Sequence, residues 1–174
     1  MRKTTLGLAV LASALAVAPV ALAIEIGDAL PSSGTAMRNV DGKDVTLAGQ
    51  VGPKGLLVVF SCNHCPWVQR WESRIVELGN TYSAKGIGVV AVNANDPAEY
   101  PDDSFEAMQA RAKEKGYSFP YVVDATSDVA RSFGASKTPE AFLFAAQGKL
   151  VYTGTIDDNA KDPAAVTAAY LKDA

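Results

Sequence analysis

Gly55-Leu56-Leu57-Val58-Val59-Phe60-Ser61-Cys62-Asn63-His64-Cys65-Pro66-Trp67 is the stretch that decides how this chain folds. Leu56 to Phe60 is apolar without alternation, the pattern of a strand buried on both faces. The chain's only two cysteines stand where that strand ends, with two residues between them. A strand that hands a C-x-x-C pair to the start of a helix is a recurrent layout for thiol–disulfide exchange. A two-residue loop closed by a disulfide removes little chain entropy and is a poor staple, so the spacing argues for redox use over bracing.

Downstream, Trp67, Trp71, Ile75, Leu78 and Tyr82 recur at three- and four-residue steps, with Arg70, Glu72, Arg74 and Glu77 between them. This predicts an amphipathic helix, ended by Lys85-Gly86. Trp71 reads as core, and Trp67, nearer the cysteines, as an apolar docking element. Ile87 to Asn93 is a second buried strand, so strand, helix and strand form a βαβ unit with parallel strands. Asn93 to Pro101 is a polar loop at the carboxyl edge of that strand, and Asn93, Asn95 and Asp96 read there as ordinary loop residues. Asp103 with Glu106 predicts a capped helix to Lys115. Tyr121–Asp124 is a short strand and Asp128–Phe133 a short helix closed by Gly134. Hairpins are predicted around Asp41-Gly42 and around Gln147-Gly148, the second joining Glu140–Phe144 to Lys149–Thr153. Asp162-Pro163 opens a final helix. The order of elements predicts an α/β fold: a mixed central sheet flanked by helices, with an N-terminal β-hairpin.

The first residues read as a targeting segment. Arg2-Lys3 precedes an apolar run from Leu6 to Val20, and Ala21-Leu22-Ala23 has the small-x-small spacing of a cleavage site. We expect a signal peptide over 1–23 and one domain over 24–174, in a periplasmic or secreted product with no stable membrane insertion after cleavage. Removing Arg2 and Lys3 takes the formal charge from −3 to −5, which argues against a nucleic-acid partner.

The catalytic candidates are Cys62, Cys65 and His64. Exchange proceeds by thiolate attack, so the attacking cysteine needs a lowered pKa and access. Cys62 is expected at the start of the helix, where free N–H groups and the dipole favour a thiolate, with Cys65 one turn on to resolve the mixed disulfide. His64, the only histidine, would favour the Cys62 thiolate if protonated, or would be a plain helix-start residue.

Six motifs carry a family resemblance: Gly27-Asp28-Ala29-Leu30-Pro31, Asp41-Gly42-Lys43, Phe60 to Val68, Asn93-Ala94-Asn95-Asp96, Gly134 to Pro139, and Ile156-Asp157-Asp158-Asn159. Together they resemble the thioredoxin superfamily, and most of all its redoxin branch (AhpC/TSA, peroxiredoxin-like) with a C-x-x-C motif. The resemblance implies a thioredoxin-like fold and redox-active cysteines. It implies that Thr138-Pro139 is a cis-proline turn facing the cysteines, which places Thr138 and Pro139 at a substrate-binding groove, and Trp67 is expected beside them from its place next to the cysteines. An exported thiol–disulfide oxidoreductase is the function we expect, with protein thiols and disulfides as partners and a membrane or periplasmic redox partner.

The departures from the family pattern are informative. When Cys65 is laid on the peroxidatic cysteine of peroxiredoxins, Cys62 takes a Thr/Ser place, Val58 a proline place, and Thr138-Pro139 falls near the place of the activating arginine. Against thioredoxins, Ser61 replaces a tryptophan and Leu56 a buried aspartate. The proton acceptor is therefore open between His64, water, Asp157 and Asp158. Lys137 stands where relatives carry another cysteine. A thiol peroxidase using Cys65 and a periplasmic copper(I) carrier are the alternatives. No resident cofactor or metal is expected: zinc needs four ligands, and Pro66 occupies the histidine place of a haem-attachment motif.

Overall fold

A computed structural model describes residues 23–174, and the expected signal segment lies outside the described residues up to Leu22. Among the described residues no helix is long and apolar enough to cross a membrane.

The strands are β1 (Met37–Asn39), β2 (Asp44–Val45), β3 (Gly55–Phe60), β4 (Ile87–Asn93), β5 (Tyr121–Val123), β6 (Glu140–Ala145) and β7 (Leu150–Gly154). The helices are α1 (Pro66–Ser83), α2 (Phe105–Lys115), α3 (Asp128–Phe133) and a single-turn α4 (Tyr170–Asp173). Strands pair in the orders β2-β1-β5-β4 and β3-β6-β7. β3 lies against β4, and the Ser61 N–H donates to the Val92 carbonyl at 2.8 Å. The sheet is mixed: β4 and β5 are parallel, while β1–β2, β1–β5, β3–β6 and β6–β7 are antiparallel. The predicted α/β fold with its N-terminal hairpin is what the chain adopts.

β3 shows why this sequence makes a central strand. Side chains alternate across a pleated sheet. Leu56, Val58 and Phe60 enter a core with Val90, Val92, Phe133, Phe142 and Phe144. Leu57 and Val59 enter the opposite core with Ile75, Ala91, Met108 and Tyr121. All six residues of the strand are buried, so a polar side chain on either face would lose water without gaining a partner, and none interrupts the run. Phe60 meets Phe133 and Phe142 edge-on, at centroid distances of 5.2 and 5.7 Å. Deleting such a ring costs about 3–5 kcal/mol. Gly79 lies where any Cβ would run into the Phe119 ring, so α1 can approach that ring only without a side chain there.

Three expectations are corrected. Asp103 does not cap α2: it sits in a tight turn over Pro101–Asp103, and Ser104 precedes the helix without a side-chain cap. Asp162-Pro163 opens only a three-residue turn, Pro163–Ala165, although the Asp162 side chain does accept from the Ala164 N–H at 2.9 Å. Val166 to Ala169, which follow it, are irregular until α4. Glu72, spaced as a polar residue of α1, is 5% exposed. α2 covers it, and Arg111 grips its carboxylate through two bonds of 2.7 and 2.8 Å.

Candidate active site

β3 ends at Phe60, and the next five residues lead to α1, which begins at Pro66 with Cys65 as its N-cap. The cysteine at the helix start is therefore Cys65, not Cys62 as expected. Pro66 suits the first helical turn, where a missing N–H breaks no helical bond. Cys62 is buried, 2% exposed, and its Sγ lies 3.3 Å from the Thr138 Oγ1. Cys65 is half-buried, and its thiol donates to the Thr138 carbonyl at 3.4 Å. One threonine thus touches both sulfurs, by its hydroxyl and by its backbone. The Thr138–Pro139 bond is cis, and Pro139 is buried behind it.

The two thiols differ electrostatically. Burial pushes the Cys62 pKa up to about 11; contacts with Thr138 and Cys65 offset this only in part, and the Asp103 charge adds to it. Burial also pushes Cys65 up. The Thr138 side chain, the Val68 and Trp67 N–H groups and the Cys62 thiol favour the thiolate, outweigh burial and hold Cys65 below the ordinary thiol value. Val68 and Trp67 belong to the first turn of α1, where N–H groups have no helical acceptor.

His64 is held from two sides. Its ring stacks on Tyr100 at 4.2 Å between centroids. Its Nδ1 lies 2.5 Å from Asp103 Oδ2, a carboxylate whose side chain is 0% exposed. Asp103 also accepts from the Asn63 N–H at 2.5 Å and from Asn95 Nδ2 at 2.9 Å. Burial raises the Asp103 pKa, but the bonds from Asn95, Asn63 and His64 overcome it and hold the carboxyl below its usual range. An ionised Asp103 fixes the proton on His64 Nδ1 and leaves Nε2 as the free ring nitrogen. Asn63 is locked as well: its Nδ2 donates to the Asp102 carbonyl at 2.7 Å and its Oδ1 accepts from the Tyr121 hydroxyl at 3.1 Å. Cys62, His64 and Asp103 bring a sulfur, a ring nitrogen and a carboxylate oxygen within 4.8 Å of one another.

Sequence reasoning passed over Asp103, Asn95 and Tyr100. A signal existed: all three follow β4 at the carboxyl edge of the sheet, where α/β sites gather, and the lone histidine needed a partner. Asp157 and Asp158, offered as proton acceptors, are engaged elsewhere. Asp157 is buried and binds Trp71 Nε1 at 2.7 Å and the Arg74 guanidinium, while Asp158 binds Thr167. Trp71 therefore packs with a polar anchor. Trp67 is 50% exposed, with the Arg70 guanidinium 4.9 Å over its ring.

A cavity of about 390 Å³ opens at Cys65, lined also by His64, Tyr100, Arg131, Lys137 and Thr138. Neither Cys62 nor Trp67 lines it.

The fold, and the cysteine pair facing a cis-proline turn, define a thioredoxin-like protein. The chain belongs to the Redoxin family, whose model matches residues 25–170. It is 40% identical to a structure of an uncharacterized conserved protein from Geobacillus kaustophilus, covering 78% of this chain and 71% of that one with a TM-score of 0.75. It is 32% identical to a hypothetical protein from Sinorhizobium meliloti 1021, covering 87% of this chain and 81% of that one with a TM-score of 0.77. Among curated proteins it is 27% identical, over 68% of its own length, to the thiol-disulfide oxidoreductase ResA of Halalkalibacterium halodurans. The match spans 63% of that relative.

Proposed function

We propose that this protein is an exported thiol–disulfide oxidoreductase in which Cys65 attacks, Cys62 resolves and His64 takes the proton. The observation that carries the reading is the asymmetry of the pair. Cys65 caps a helix and lines a cavity with its pKa held down, while Cys62 is buried behind it. The relatives named thiol-disulfide oxidoreductase support the reaction class. The leader pattern over 1–23 supports export of a domain spanning 24–174.

The Cys65 thiolate attacks one sulfur of a substrate disulfide; that S–S bond breaks and the other sulfur leaves as a thiolate. Cys62 then attacks the Cys65 sulfur, forming the Cys62–Cys65 disulfide and releasing the second thiolate. Two electrons have passed from the protein dithiol to the substrate. The Cys62 proton goes to His64 Nε2 and from the half-exposed ring to water. The partners are protein thiols and disulfides, and a dithiol reductant restores the pair. Thr138 and Pro139 frame the docking groove, and Trp67 offers an exposed ring beside it.

Peroxide reduction by Cys65 is the second reading, favoured by its lowered pKa and by Arg131 in the same cavity. The test measures protein disulfide reduction, peroxide consumption and copper(I) binding on the wild type, Cys62→Ser and Cys65→Ser. We expect disulfide reduction that both substitutions stop, with a trapped mixed disulfide on Cys65 only in Cys62→Ser. Fast peroxide consumption surviving Cys62→Ser would make the protein a peroxidase. Stoichiometric copper(I) without exchange would make it a carrier.

A further inference from the structure

We propose that the cavity beside Cys65 selects disulfides that carry carboxylates next to the reacting sulfurs, an inference that rests on the exchange reading above. The chain has 19 acidic and 16 basic residues, yet no Asp or Glu lines this cavity. Its charged wall is Arg131 from α3 and Lys137 from the segment leading to Thr138. Such a one-sided wall is the reverse of what the overall charge would place there.

Both cations are available. Lys137 is exposed and forms no ion pair among the described residues. Arg131 uses only Nη2 locally, donating to the Asp128 carboxylate and the Thr126 carbonyl at 2.5 Å each. Its Nε and Nη1 have no partner among the described residues, which leaves one edge of the fork free for a carboxylate. Glu140, which follows Pro139, accepts from the Ser136 N–H at 3.0 Å and does not line the cavity. Ser127, Ser136 and Asn95 supply further polar lining. Lys137 directly precedes Thr138, whose backbone touches the Cys65 thiol, so a carboxylate held by Lys137 lies close to the sulfur under attack. The volume suits a small molecule or the side chains flanking one cysteine of a larger partner.

The experiment compares three disulfides: dithiodipropionate (anionic), hydroxyethyl disulfide (neutral) and cystamine (cationic). Each kcat/KM is divided by the rate of free dithiothreitol with the same disulfide, which removes intrinsic reactivity. We expect the anionic disulfide to exceed the neutral one by about tenfold at low salt, and the advantage to fade as salt rises. Lys137→Glu, and Lys137→Glu combined with Arg131→Glu, should reverse the order in favour of cystamine. Equal corrected rates on all three, or an order unmoved by both variants, would remove the inference and leave the exchange reading standing. No reduction of any of the three would remove both. Peptide disulfides with acidic or basic flanks then separate the two sources. An acidic preference larger than the small-molecule one assigns the carboxylates to a protein partner, and a smaller one assigns them to a small disulfide.

Discussion

The strand end and the helix end of Cys62-Asn63-His64-Cys65 hold the same functional group in opposite surroundings. At the strand end, Cys62 lies buried among Asn63, Asp103 and Thr138, and its thiol is pushed up to about 11. At the helix end, Cys65 meets unpaired N–H groups and a cation-lined cavity, and its thiol is held down. Residue type makes both cysteines nucleophiles; burial and the helix terminus decide which one is poised. Spacing alone could not separate them, because one turn of helix shifted by three residues exchanges their roles.

Five outcomes would break or sharpen that contrast, the largest first. Cys65→Ser should lower disulfide reduction by about a thousandfold or more and remove the lower of two thiolate titrations, leaving one near 11 from Cys62. Ultraviolet thiolate absorbance against pH reads this; loss of the upper step instead would exchange the assignments. Glu72→Ala should destabilise the fold by about 3 kcal/mol, because Arg111 would be left charged and covered. Urea unfolding measures that cost, and the rate per folded molecule should stay near wild type, since neither residue lines the cavity at Cys65 or bonds to either sulfur. Asp103→Asn should slow exchange by about a hundredfold by releasing His64 Nδ1. The rate of the resolving step should fall more than that of mixed-disulfide formation.

The same carboxyl also sets an acid limit. Its folded pKa lies below the unfolded value, so its contribution to stability is present above the unfolded value and is lost as pH falls through the folded one. Wild type should therefore lose more stability than Asp103→Asn on going from about pH 7 to about pH 3, as urea midpoints would show. The smallest effect is expected from Tyr100→Leu, about 1 kcal/mol in the resolving step, through loss of the stack on His64.

Much of the fold was legible because its signals are local. The apolar run of β3, the Asp41-Gly42 and Gln147-Gly148 turns and the Gly134 stop each act within a few residues. The cysteines and the Thr138-Pro139 turn were expected to meet and do so, with Cys65 rather than Cys62 at the helix start. Asp103 was not legible, because Asp followed by Glu three residues on is also a helix-start pattern, and only the tertiary fold brings its carboxylate 39 positions back to His64. Glu72 was misleading for the same reason: its helical spacing is that of a solvent-facing residue until α2 closes over it. The final stretch after Asp162-Pro163 shows a cap and a proline without the packing face that would extend a helix.

The claim that Cys65 is the attacking thiol is tested most directly by treating the reduced protein with one equivalent of iodoacetamide at neutral pH and locating the label by peptide mass spectrometry. Label on Cys65, with Cys62 modified only after unfolding, is the expected result. Label that falls first on Cys62 would contradict the account.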